Sequence, residues 1–285
     1  EVSFVDKALA YLDTYTGTMQ SMFPYPDPNF GIEQWSIVVG YIVMVFLLPK
    51  ILMLTPLKKG LHGINYLMAL WNLFLTAFSF IVFVGVFRDF YKLIDEQGFV
   101  RAICDDERRV IATESRPSFY WSYWFAVSKY AELLDTLFLI LKHPDRPVPF
   151  LHWYHHATVL LFTWYSSYWH LTSGCIFIIM NAFIHTIMYS YYFFKELGIT
   201  PPGALLITIG QILQMVGGIV TNVLWAREYY NGKKCMCKNA DAVIYSCAVM
   251  YGSYLFLFLQ YFVRRYVFGR PEGSSKSKKT DKKHE

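Results

Sequence analysis

Apolar residues in this chain gather in seven long runs separated by breaks rich in polar residues, Gly and Pro. The runs cover roughly 34–54, 64–87, 119–141, 150–168, 174–195, 204–225 and 241–265. Each is close to the about 20 mostly apolar residues that a helix needs to cross a bilayer. Pro56, Gly60 and Gly63 separate the first two runs. Pro144, Pro147 and Pro149 precede the fourth, and Gly198, Pro201, Pro202 and Gly203 precede the sixth. The pattern predicts an all-α integral membrane protein of seven transmembrane helices over 1–265, followed by a basic tail, 266–285. No run suggests a soluble domain, and no repeat is visible, so any chemistry must be carried largely by the membrane helices.

Composition agrees. Of the 285 residues 55% are apolar, 19% aromatic and only 16% charged, against about 25% charged in an ordinary soluble domain. A disordered chain is excluded, and lipid is the expected solvent for much of the surface. The net charge of +5 is modest and concentrated in the tail, so nucleic acid is not implied. Five cysteines lack the paired spacings of a zinc module. The chain opens on Glu1, so its start is expected to be trimmed, and no signal peptide is read into it.

With seven spans the termini lie on opposite sides. Loop charges on the tail's side number six, against eleven opposite, and so do not favour a cytosolic tail by themselves. The tail itself carries Arg264, Arg265, Arg270, Lys276, Lys278, Lys279, Lys282 and Lys283. It ends Lys282-Lys283-His284-Glu285, which resembles the dilysine retrieval signal of endoplasmic-reticulum membrane proteins, read only in the cytosol. The expectation is a cytosolic C-terminus and a lumenal N-terminus.

Polar residues inside the spans carry the functional signal. The third run contains Lys129, Glu132 and Asp135. Three unpaired charges near mid-bilayer would cost roughly 8–10 kcal/mol on the insertion scale. Their spacing of three lets Lys129 pair with Glu132 on one helix face, and an internal salt bridge fastening the bundle is the ordinary explanation. The fourth run opens His152-Trp153-Tyr154-His155-His156, whose i, i+3, i+4 spacing sets three imidazoles on one face. The fifth adds Asn181 and His185, and the sixth adds Thr208, Gln211 and Gln214. At about 1.5 Å rise per residue, His152 lies roughly 3 Å and Lys129 roughly 18 Å from the tail-side end, with the others between. Four successive spans therefore place their polar groups in one half of the membrane, as a buried site opening toward the tail side would.

Imidazole clusters serve either metals or acid–base and nucleophilic work. Of eight histidines only His152, His155, His156 and His185 fall in this layer. Four imidazoles and two acids could hold one metal but scarcely a histidine-rich di-iron pair, so no metal is expected. Neutral imidazole can form covalent intermediates and shuttle protons, and crowded imidazoles disfavour one another's protonation.

The wording of these motifs is familiar. Ser128-Lys129, Glu132 and Asp135-Thr136 come first, followed by Leu151-His152-Trp153-Tyr154-His155-His156. Asn181, His185 and Met188-Tyr189-Ser190-Tyr191-Tyr192 follow, then Thr208, Gln211 and Gln214. In that order they resemble the ELO family of very-long-chain fatty-acid elongases. The resemblance implies an endoplasmic-reticulum 3-ketoacyl-CoA synthase. Such an enzyme condenses acyl-CoA with malonyl-CoA in an intramembrane tunnel, without a cofactor, beside the other enzymes of the elongation cycle. It implies His155 as the nucleophile, with His152, His156 and His185 orienting or transferring protons and Asn181 bonding oxyanion charge. Lys129, Glu132, Asp135, Gln211 and Gln214 would form a supporting polar network. Lys58, Lys59, Lys142, Arg146, Lys195, Arg264 and Arg265 stand where CoA phosphates would arrive, although basic residues flank spans in any case. Pro149-Phe150 before the histidine motif, in place of a Gln, looks more like elongases of saturated and monounsaturated chains.

A lumenal disulfide is also expected. Cys104 is alone in loop 88–118, whereas loop 226–240 offers Cys235 and Cys237. The family resemblance favours Cys104–Cys237.

Two other classes compete. One is a membrane di-iron desaturase or hydroxylase. The other is a seven-helix receptor or transporter. A retinal receptor needs a Schiff-base lysine that 241–265 lacks, and a repeat-built transporter should echo its polar pattern in two halves.

Overall fold

A computed structural model describes residues 31–104, 117–169, 171, 173–233, 235, 237 and 239–269; the retrieval signal Lys282–Lys283 and the tail 270–285 lie outside them. The described residues are helical, without strands. The helices are α1 (Ile32–Met53), α2 (Ile64–Gln97), α3 (Phe99–Ile103), α4 (Pro117–Ala131) and α5 (Leu133–Lys142). They continue with α6 (Phe150–Tyr168), α7 (Gly174–Glu196), α8 (Ala204–Tyr230) and α9 (Ala240–Phe262), which ends in a π turn over Val263–Val267.

Among the described residues five helices are long and apolar enough to cross a membrane: α1, α2, α7, α8 and α9 with its π turn. Two of the seven expected runs are not among them. The third is two short helices, because at Glu132 the chain tightens: Asp135 N–H bonds the Glu132 carbonyl, three residues back, instead of the one four back. The fourth, α6, spans 19 residues and is diluted by three histidines and several hydroxyls. The second run is longer than expected, since α2 continues through Arg88, Asp89 and Lys92 to Gly98, whose φ of 80° ends it.

Neighbouring helices close a ring: α2 packs on α7, α7 on α8, α8 on α9, α9 on α6, α6 on α4, and α4 back on α2. Helix α1 lies outside it, against α5 and α6. The ring has two ends, one marked by the contact between the α1–α2 connection and the end of α5 and the other by a disulfide. At the first end the Leu61 N–H bonds the Leu141 carbonyl at 2.9 Å. Gly60, with φ 84°, passes so close to the Lys142 carbonyl that a Cβ would not fit.

Apolar clusters hold the ring together and fix α1 against it. Val82, Val86, Trp121, Phe125, Ile178 and Ala182 join α2, α4 and α7. Phe177, Met215, Cys247, Met250, Tyr251 and Tyr254 join α7, α8 and α9. Val38, Tyr41, Val45, Ala157 and Leu160 seat α1 on α6. The outward faces carry large apolar side chains, Trp35, Phe46, Phe74, Leu213 and Phe256 among them, each more than half exposed apart from its neighbours. In water that surface would be unfavourable; against lipid it is not.

The second end is closed by a disulfide, and here the expected pairing is corrected: Cys104 bonds Cys235, and Cys237 is a free thiol. The chain leaving α8 folds back sharply. Gly232, with φ 80°, donates its N–H to the Tyr229 carbonyl and Lys233 donates to Glu228. That turn buries Cys235 against Trp225, Ala240 and Ile244, with its Cα 4.3 Å from that of Cys104. Cys237 lies further along, partly buried on the way into α9.

Candidate active site

The buried polar residues of four elements meet near the first end. Lys129 closes α4 and is 1% exposed. Its ammonium donates to Glu132 Oε1 at 2.7 Å and to Asn181 Oδ1 at 3.2 Å, and sits 4.1 Å from the centre of the Phe125 ring. Ser128 Oγ donates to the same Glu132 oxygen at 3.2 Å, while Glu132 Oε2 is buried without a partner. A buried ion pair of this kind is tolerated only when further hydrogen bonds complete it, and Ser128 and Asn181 provide them.

Asn181 carries the network to the histidines. One turn later on α7, its amide nitrogen lies 3.1 Å from His185 Nε2. The His185 ring stands perpendicular to that of Tyr189, centroids 5.3 Å apart. Tyr189 in turn donates to Asp135 Oδ2 at 2.8 Å, and Trp71 Nε1 donates to Asp135 Oδ1 at 2.6 Å. Asp135 is thus held by α2 and α7 and is separate from the Lys129–Glu132 pair.

On α6 the three imidazoles share a face, as their spacing requires. The His152 and His156 rings lie 4.6 Å apart, and those of His155 and His156 5.4 Å apart and perpendicular. His152 Nε2 is 2.9 Å from Thr136 Oγ1, which is 2.8 Å from the Tyr41 hydroxyl. His156 is buried, with Nδ1 unpartnered. The His155 ring rests 5.0 Å from that of Tyr254, whose hydroxyl donates to the His155 carbonyl. Neither ring nitrogen of His155 has a hydrogen-bond partner among the described residues.

Not every expected residue joins this cluster. Gln211 donates to Met188 Sδ at 3.4 Å, and Gln214 is buried on α8; neither bonds a histidine. Among the described residues no group of three or more His, Cys, Asp or Glu side chains is arranged to hold a metal ion. The basic residues named from sequence all fall at the first end, where α1, α5, α7 and α9 finish. Lys58, Lys59, Arg146, Lys195, Arg264 and Arg265 are exposed. Lys142 is engaged by Glu196 at 2.5 Å, tying α5 to α7. Residues outside the sequence reading also serve the site. Trp71, Tyr41 and Tyr254 read in sequence as bulk aromatics, and only the fold brings their polar atoms to Asp135, Thr136 and Thr158.

The sequence that builds this arrangement matches known proteins along nearly the whole chain. The profile of the ELO family, described as the GNS1/SUR4 family, matches residues 33–279. "Fatty acid elongase 2" of Trypanosoma cruzi is 36% identical over 272 residues, covering 86% of this chain and 94% of its own. "Very long chain fatty acid elongase 3" of Mus musculus is 32% identical over 268 residues, covering 91% and 95%. "Putative fatty acid elongase 4" of Caenorhabditis elegans is 32% identical over 259 residues, covering 88% and 85%. A ring of apolar helices around this histidine cluster, carried by a sequence that aligns with those proteins from end to end of the bundle, makes the chain a multi-pass membrane protein belonging to the ELO (GNS1/SUR4) family.

Proposed function

We propose that this protein is a fatty acid elongase of the 3-ketoacyl-CoA synthase type. It joins the acyl group of a long-chain acyl-CoA to the two-carbon unit of malonyl-CoA, releasing carbon dioxide and CoA. Family membership supports the reaction class. The observation that carries the chemical reading is the cluster of four imidazoles held near one end of an apolar ring, in which His155 and His156 make no ring hydrogen bond among the described residues.

In this reading α4 with α5 counts as one traverse and α6 as another, giving seven spans in the endoplasmic-reticulum membrane. The first end faces the cytosol, where CoA meets Lys58, Lys59, Arg146, Lys195, Arg264 and Arg265. The acyl chain lies within the ring, directed toward the disulfide end.

A His155 nitrogen attacks the thioester carbonyl. The C–S bond breaks, the imidazole's remaining proton passes to the departing thiolate, and a neutral acyl-imidazole is left. Malonyl-CoA then loses carbon dioxide, and the enolate formed attacks the acyl carbon. The C–C bond forms as the C–N bond breaks, and the imidazolide takes up one proton. His152 and His156 flank His155 and relay that proton. Asn181 and His185 offer N–H groups to the oxyanion. Decarboxylation supplies the driving force, so no cofactor is required.

The test is condensation by purified protein in detergent. Radiolabelled malonyl-CoA with long-chain acyl-CoA should give a labelled 3-ketoacyl-CoA two carbons longer. Protein that is intact by size-exclusion chromatography yet makes no labelled product from any acyl-CoA offered would overturn the reading.

A further inference from the structure

Lys129, Asn181 and His185 form a directional chain. A lysine ammonium has only protons to give. The Asn181 atom facing it at 3.2 Å must therefore be the carbonyl oxygen, which turns the amide N–H groups toward His185. Those protons need an acceptor, so His185 Nε2, 3.1 Å away, must present its lone pair. The ring's one proton then sits on Nδ1, which has no partner among the described residues. Lys129 cannot drift from this post. Glu132 holds it at 2.7 Å, Phe125 lies beneath it, and it is 1% exposed.

We propose that Lys129 is a positioning residue that fixes, through Asn181, the tautomer of His185, so that His185 meets the site as an Nδ1–H donor. The Lys129–Glu132 pair is then more than a local tie at the α4–α5 junction. It decides that His185 gives a hydrogen bond to developing negative charge and cannot act as base or nucleophile through Nε2 while Asn181 holds that atom. The catalytic meaning of this donor rests on the elongase reading. The tautomer does not.

Ring-15N-histidine protein reconstituted in liposomes and examined by solid-state NMR tests the tautomer without substrate. The His185 resonances are those lost in His185→Gln. In the wild type His185 should give a protonated Nδ1 and an unprotonated, hydrogen-bonded Nε2. Asn181→Asp places an acceptor against both Lys129 and His185, and should move the proton to Nε2. Lys129→Arg, which keeps a donor-only cation, should leave the wild-type pattern. A wild-type His185 protonated on Nε2, or an Asn181→Asp spectrum unchanged from wild type, would overturn the proposal whatever the condensation assay gives. If the tautomers behave as stated and no condensation occurs, the elongase reading fails and the positioning relay stands.

Discussion

Replacing Cys235 with Ser should destabilise the bundle far more than replacing Cys237. The Cys104–Cys235 bridge joins positions 131 residues apart. Closing a loop of that length removes about 5 kcal/mol of unfolded-state chain entropy in the loop-closure treatment, with any native strain subtracting from it. The bridge also seals an apolar cluster in which Cys235 is 6% exposed and Trp225 fully buried. Burial raises the pKa of the Cys237 thiol, which makes it a poor nucleophile toward the bridge. Guanidinium unfolding in mild detergent, followed by Trp fluorescence, should show a large drop in midpoint for Cys235→Ser and a small one for Cys237→Ser. Reductant should lower the wild type to the level of Cys235→Ser and leave that variant unmoved. Met236 lies between the two cysteines, so cyanogen bromide cleavage under non-reducing conditions separates them and identifies the partner of Cys104. Equal destabilisation by the two variants, or a Cys104–Cys237 fragment, would show that Cys235 does not form the bridge.

Other outcomes follow from the same contacts. Lys129→Met strands Glu132 and should cost about 3–5 kcal/mol in unfolding free energy, whereas Lys129→Met with Glu132→Met should recover much of it. The Tyr251 ring occupies the place of a Cβ on Gly218, so Gly218→Ala should cost about 1–3 kcal/mol, less in a Tyr251→Leu background; unfolding midpoints measure both. In the loop after α5, burial first and then the Arg146 and Lys142 charges hold His143 below the ordinary histidine pKa. The unfolded chain therefore takes up that proton first, and stability should fall as pH drops through about 6.5. A midpoint–pH profile of His143→Gln should lose that component.

Much of this was legible in the sequence, for identifiable reasons. Helices α1, α7, α8 and α9 follow from long apolar runs with Gly and Pro at their ends. The three imidazoles of α6 share a face because helical geometry leaves no alternative for i, i+3, i+4. The tightening at Glu132 was hidden, since Lys129, Glu132 and Asp135 fit an unbroken helix equally well. The fold separates them, giving Asp135 to Trp71 and Tyr189 and leaving Lys129 with Glu132. Depth along a helix placed Gln211 near the histidines, but its azimuth, which turns it to Met188, depends on how α8 packs. The cysteine pairing turned on two residues of loop. Only the reversal at Gly232 decides which thiol meets Cys104.

In the proposed mechanism an imidazole inside the membrane carries the acyl chain, and acylation of the enzyme in the absence of malonyl-CoA is its signature. Purified protein is incubated with acyl-CoA alone, then free CoA is quantified and the protein digested for mass spectrometry. Close to one CoA per active chain should be released before any malonyl-CoA is added, with the acyl mass on the peptide containing His155 and both signals absent in His155→Ala. Release of CoA only after malonyl-CoA arrives, with no acylated histidine at any time, would contradict this mechanism.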